Sequence, residues 1–243
     1  MISTYRALPQ IGENPHKHYR LGIMGGTFDP IHNGHLVAAE TAYDALELDL
    51  VIFMPAGVPA FKRKKQVSPA EDRYAMTLLA TADNPHFVAS RFEIDRPGVT
   101  YTADTLHMMR DFYPENVELF FITGADAISE ILTWHNAESL ASEATLVAAT
   151  RPGYDLEPTQ RKLEHAALHF DVRYLEVPAL AISSSYLRSR IEKQQSLRYL
   201  TPDSVTGYIH KHGLYGTVLS VYKPLGSLSV SYTHLTLPTI LLV

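Results

Sequence analysis

The sequence predicts an α/β fold, a doubly wound parallel sheet of about five to six strands with helices on both faces and a small helical part at the C-terminal end. Two observations predict it. Apolar runs of strand length recur along the chain, and between them lie stretches with apolar residues at helical spacing. Strands that alternate with helices make βαβ units, and such units build parallel sheets covered on both sides.

The elements follow in order. Arg20-Leu-Gly-Ile-Met-Gly25 reads as a short buried strand, with a glycine-rich turn after it. Residues 35–48 carry Leu36, Ala39, Tyr43 and Leu46 at helical spacing. Residues 50–54 are a second apolar run, and 55–68 a loop with Pro55, Gly57, Pro59 and the basic run from Lys62 to Lys65. Ser68 reads as an N-cap, with Pro69 at the first helical position and Glu71 three residues after Ser68, so a helix runs to about Ala82. Residues 86–90 are a third strand, 102–112 a helix, 117–123 a fourth strand and 127–134 a helix. Residues 144–149 are a fifth strand, stopped by Arg151-Pro-Gly153. A helix over 157–170, a last strand over 172–177 and helices over 183–193 and 202–211 complete the order. Gly213 and Gly216 serve as helix stops. In such a sheet ligands bind beyond the carboxyl ends of the strands, near the reversal of strand order. The loops after strands one, two, four and five are therefore the expected seat of chemistry.

The length of 243 residues suits one domain, placed at 19–216. Residues 1–18 are polar and proline-containing, and are expected to be a flexible leader with no apolar signal segment. Residues 217–243 are expected to be a loose tail. Its stretch Val230-Ser-Tyr-Thr-His-Leu-Thr-Leu-Pro-Thr239 resembles a translated sequencing adapter, so the native chain is expected to end soon after Gly216. The chain has no cysteine, which excludes disulfides and thiolate chemistry. No apolar run reaches membrane-spanning length, so no membrane partner is expected, and a cytoplasmic location is. The net charge of -5 gives no reason to expect a nucleic-acid partner. Homo-oligomerisation stays open.

Chemistry concentrates in GGTFDPIHNGHL, residues 25–36, between the first strand and the first helix. Gly25 and Gly26 allow a tight turn and close approach of a ligand to backbone. Thr27 adds a hydroxyl, and Asp29-Pro30 fixes a turn. His32 and His35 stand three apart at the helix start and can face one pocket. Gly34 lets a phosphate reach the helix N-terminus, where amides and dipole favour an anion.

The whole string resembles the HxGH motif of the nucleotidyltransferase superfamily, in the form GG(S/T)FDPxHxGH. That resemblance implies a Rossmann-like fold and in-line attack of an acceptor phosphate on the α-phosphorus of ATP, with pyrophosphate leaving. It implies that His32 and His35 hold the ATP phosphates, His35 at the reacting one, and that Gly25, Gly26, Thr27, Phe28 and Gly34 bind ATP. Mg²⁺ would ride on the phosphates, with no side-chain metal site.

Four further segments resemble one family within it, the bacterial nicotinate-nucleotide adenylyltransferases. Ile182-Ser-Ser-Ser-Tyr-Leu-Arg188 resembles ISSTxIR, although serines at a helix start are by themselves ordinary caps. The likeness gives Ser183, Ser184, Ser185 and Arg188 to the ATP phosphates. In the loop Pro55-Ala-Gly-Val-Pro-Ala-Phe-Lys62, Lys62 would reach phosphate, with Phe61 where many relatives carry His; the next three basic residues read as solvated. Gly124-Ala-Asp126 with Trp134-His135 resembles a segment in which tryptophan stacks on the pyridine ring, an alternative to plain core packing. Tyr101, Thr102 and Thr105 within Tyr101-Thr-Ala-Asp-Thr-Leu106 would line the nicotinate-nucleotide pocket. Arg151 is either part of a turn or an adenosine contact.

The resemblance covers roughly residues 21–216 and implies transfer of AMP from ATP to nicotinate mononucleotide, giving deamido-NAD and pyrophosphate in NAD biosynthesis. Alternatives stay open: a nicotinamide mononucleotide or phosphopantetheine acceptor, or a non-catalytic nucleotide-binding domain of the same fold.

Overall fold

The computed structural model describes residues 4–60, 67–166, 168–178 and 181–217. The lysine loop with Lys62 and the tail beyond Thr217 lie outside the described residues. In chain order the strands are β1 (Tyr19–Gly26), β2 (Leu50–Pro55), β3 (Val58–Pro59), β4 (Phe87–Ala89), β5 (Val99–Thr100), β6 (Val117–Gly124), β7 (Thr145–Thr150) and β8 (Val172–Glu176). The helices are α1 (Asn33–Ala45), α2 (Ala70–Thr81), α3 (Thr102–Phe112), α4 (Ala125–Ser129), α5 (Ala137–Glu143), α6 (Glu157–Glu164), α7 (Ser184–Glu192) and α8 (Asp203–His212).

Six strands pair in the order β4-β2-β1-β6-β7-β8, every pairing parallel. Successive side chains of a strand point to opposite faces, so a doubly covered sheet needs apolar residues at every position. The strands meet that demand. Leu21, Ile23, Ile52, Met54, Leu119, Phe121, Leu146 and Ala148 join the core on one face, with Ala103, Leu106 and Met109 of α3. Met24, Val51, Phe53, Phe120, Ile122 and Val147 join the core on the other, with residues of α1, α2, α7 and α8. Among the described residues no helix is long and apolar enough to cross a membrane.

The differences from expectation have local causes. Ser68 does not cap α2; Pro69 holds that position. The Ser68 backbone is used elsewhere, its N–H on Asp29 and its carbonyl on Arg73. The single helix expected over 127–134 is instead α4 and a 3-10 turn, Ile131–Thr133. Asn136, at φ 49°, sits in the left-handed region before α5, an element with no clear sequence period. β3 and β5 form a separate two-stranded parallel pair too short to show alternation.

Residues 4–18, expected to be a flexible leader, make packing and hydrogen-bond contacts with the domain. Leu8 is 3% exposed, and Tyr5 stacks on Phe112 at 5.2 Å between ring centroids. The Tyr113 hydroxyl donates to the Pro9 carbonyl, and Asn116 Nδ2 donates to the carbonyls of Gly12, Asn14 and Lys17. The segment covers apolar surface beside α3. Leu8→Ala should therefore lower the unfolding free energy by about 2 kcal/mol, the low end for a buried leucine. Urea melts would check this, and an unchanged midpoint would mean the segment does not pack.

Candidate active site

Strand order reverses between β1 and β6. After β1 the chain adds strands to one side of the sheet, and after β6 to the other. Crossovers diverge at such a point and leave a crevice beyond the strand ends. Two cavities open there and share Gly25 at the end of β1 and Thr123 at the end of β6. One runs over His32, Gly34 and His35 toward Asp126, Arg151 and Ser183. The other runs over Gly26 and Thr27 toward Glu93, Tyr101, Thr102 and Trp134.

The two imidazoles stack at 3.6 Å between centroids and 21° between planes. The His32 backbone N–H donates to His35 Nδ1 at 3.2 Å. An Nδ1 that accepts must leave the ring proton on Nε2, so neutral His35 acts as a donor through Nε2. The Phe28 ring meets His35 edge-on at 5.0 Å, which fixes the imidazole from a third side. His32 is 6% exposed, and its Nδ1 has no hydrogen-bond partner among the described residues. Burial pushes its pKa down from 6.5 to about 4, so it is neutral at pH 7. Gly34 leaves room here: a Cβ would lie 3.1 Å from His32 Nδ1, a tight contact. Phe28 itself stands at φ 50°, in the left-handed region, and its ring packs over Gly26, where a Cβ would meet it at 2.9 Å.

Buried polar groups hold this loop from behind. Arg73 is 1% exposed and donates to three carbonyls, those of Thr27 at 2.9 Å, Gly57 at 3.0 Å and Ser68 at 3.0 Å. A buried guanidinium is tolerable only when so bonded. Asp29, 3% exposed, accepts from the Tyr215 hydroxyl at 2.7 Å and the Ser68 N–H at 3.3 Å. Thr201 donates to the Ile31 carbonyl, and the Asn33 N–H to the Leu200 carbonyl. Sequence reading missed Arg73, Tyr215 and Thr201, because each acts on a partner far away in the chain.

The expected site residues divide accordingly. His32, His35, Gly25, Gly34, Ser183 and Arg151 line the histidine-side cavity. Gly26, Thr27, Tyr101, Thr102, Trp134 and His135 line the other. Gly124 and Asp126, expected beside the pyridine nucleotide, lie instead on the histidine side, where the Tyr154 hydroxyl donates to Asp126 Oδ1 at 2.9 Å. Phe28, expected to touch ATP, is core. Ser184 and Arg188, expected on phosphate, brace the motif loop: Ser184 donates to the Pro30 carbonyl at 2.8 Å, and Arg188 Nη1 to the Asp29 carbonyl at 2.5 Å. Ser185 faces Arg188 Nη2 at 3.4 Å. Thr105 is buried one layer behind its cavity, its hydroxyl donating to Glu93 Oε1 at 2.7 Å. Trp134 is half-buried and meets Phe121 edge-on at 6.2 Å, so it is both a core contact and a cavity wall. The Tyr101 and His135 rings lie 4.2 Å apart on the same rim.

Residues 23–190 match the family described as cytidylyltransferase-like. A Corynebacterium kroppenstedtii protein named "Probable nicotinate-nucleotide adenylyltransferase" is 54% identical over 196 residues, 81% of this chain and 90% of its own. One of the same name from Clavibacter michiganensis subsp. michiganensis is 55% identical over 196 residues, 81% of this chain and 94% of its own. Among solved structures, Plasmodium falciparum nicotinic acid mononucleotide adenylyltransferase complexed with APC superposes with a TM-score of 0.67 at 20% identity, over 83% of this chain and all of that one. The same enzyme complexed with NaAD gives 0.64 at 21% identity, again over 83% of this chain and all of that one. These two show the fold. Sheet, crevice and matched family together define a nucleotidyltransferase. The chain belongs to the cytidylyltransferase-like family and, within it, to the nicotinate-nucleotide adenylyltransferases.

The burial of His32 has a consequence for stability. Its folded pKa lies below the unfolded value, so its contribution is full above pH 6.5 and is lost as pH falls toward 4. That loss amounts to as much as about 3 kcal/mol, and His32→Gln should abolish it. Unfolding free energies of both proteins across this range check it; parallel curves would mean that His32 is not held neutral.

Proposed function

We propose that this chain transfers the adenylyl group of MgATP to nicotinate mononucleotide, releasing pyrophosphate and forming deamido-NAD. One observation carries the reading: the two cavities meet at Gly25 and Thr123, at the reversal of strand order. A triphosphate over the histidines and a pyridine nucleotide against Trp134 would bring their phosphates together there. An oxygen of the acceptor phosphate attacks the α-phosphorus, the new P–O–P bond forms, and the bond to the β-phosphate oxygen breaks. The departing pyrophosphate keeps the electron pair. No side chain is required as a nucleophile, so catalysis consists of positioning and of stabilising charge at phosphorus.

In this reading the Nε2–H of His35 donates to the α-phosphate. His32 sits behind it and orients it through the stack. Ser183 and Gly34 frame the polyphosphate, and Arg151 reaches it or the adenosine from the loop after β7. Tyr101, Thr102 and His135 surround the pyridine nucleotide opposite Trp134. Lys62 belongs to the phosphate side by resemblance alone. Mg²⁺ arrives on the triphosphate as part of the substrate, and the reaction is assigned to the cytoplasm.

His35→Ala should lower kcat by about 10²–10³-fold, the scale for loss of one preorganised donor. Pyrophosphate release measures it; a near-normal rate would remove His35 from the reaction. An inactive wild type that still binds ATP tightly would favour a non-catalytic nucleotide-binding domain. Trp134→Ala should raise KM for the pyridine nucleotide about tenfold, as expected when an aromatic stack is lost, and leave KM for ATP nearly unchanged. Equal rises in both would place Trp134 elsewhere.

A further inference from the structure

Among its described lining residues, the cavity beside Trp134 contains one carboxyl group, Glu93. It is 6% exposed. Three elements hold it at the cavity wall. Thr105 on α3 donates to its Oε1 at 2.7 Å. The loop after β2 presses on its backbone, where a Cβ at Gly57 would fall 2.5 Å from the Glu93 carbonyl oxygen. Arg73, on α2, binds the Gly57 carbonyl on the far side of that contact. The charged groups that face Glu93 are Arg73 from α2 and Arg96 from its own loop, and Tyr101 and His135 also line the cavity. Both arginines and the Thr105 bond favour the carboxylate. Burial outweighs them and pushes the pKa up from 4.5 to about 7.

We propose that Glu93 is a specificity-determining residue whose protonation sets the preference between a pyridine nucleotide with an anionic ring substituent and one with a neutral substituent. The proposal rests on the adenylyl-transfer reading above. With a neutral Glu93 the cavity holds no fixed negative charge on its wall and admits a carboxylate. Once Glu93 ionises, a like charge stands in a poorly solvated pocket and repels that carboxylate, while a carboxamide is little affected.

The test is the ratio of kcat/KM for nicotinate mononucleotide to that for nicotinamide mononucleotide, followed across neutral pH. Both acceptors carry the same phosphate and meet the same ATP and histidines, so those titrations cancel in the ratio. In the wild type the ratio should fall about tenfold as pH rises through 7, the scale of one like-charge contact near a protein surface. Glu93→Gln should give a flat ratio, and Thr105→Val, which removes a bond favouring the carboxylate, should move the fall to higher pH. A flat wild-type ratio, an unchanged slope in the Gln variant or an unmoved midpoint in the Val variant would overturn the proposal while leaving adenylyl transfer standing. If neither acceptor releases pyrophosphate at any pH, both readings fail together.

Discussion

Everything at the site depends on the parallel seam between β1 and β6. Leu21 pairs with Leu119 and Met24 with Ile122, so the two strands end side by side. The chain leaves β1 for β2 and leaves β6 for β7, in opposite directions across the sheet. No crossover can close over the carboxyl end of such a seam. A core that is otherwise continuous on both faces therefore has an opening at one place. Among the described residues, the turn after β1 and the start of α4 after β6 border that opening. The glycines of the turn and the histidines at the start of α1 stand where they do because the sheet has this order.

An open crevice needs loops that hold their shape without a covering layer. Apolar packing alone cannot do that, since loop carbonyls must find donors. The protein supplies them from far along the chain. One guanidinium, Arg73, joins the turn after β1 to the loop after β2 and to the start of α2. From the C-terminal part come Ser184 and Arg188 of α7, Thr201, and Tyr215, all bonding within residues 29–31. The small C-terminal helical part is thus the back wall of the motif loop.

The sheet was legible because its physics is local: an apolar run of strand length and a helical period are visible within a dozen residues. The glycine–histidine string was legible for the same reason, since its turn, cap and ring stack span residues 25–36. Side-chain direction was not. Arg188 and Ser184, read as phosphate groups by resemblance, have partners the sequence does not reveal, the carbonyls of Asp29 and Pro30, more than 150 residues earlier. Thr105 and Glu93, twelve residues apart, meet across a loop and a helix start whose separation no periodicity reveals. Tyr5 and Leu8 looked like leader because a short 3-10 turn has no amphipathic pattern to betray the surface it covers.

The electrostatics of the crevice follow from the same burial. A protein of net charge -5 that handles anionic nucleotides would be expected to gather cations at the site. Arg151 lines its histidine side, while burial keeps His32 uncharged above about pH 4 and Glu93 uncharged below about pH 7. The two groups act on the fold with opposite sign: His32 contributes stability that is lost toward pH 4, and Glu93 contributes stability present below 4.5 that is lost as pH rises through 7. An anion arriving beside either group favours its protonated form. In the proposed reading a ring carboxylate beside Glu93 favours the protonated acid, so acceptor binding is coupled to proton uptake at that end of the crevice.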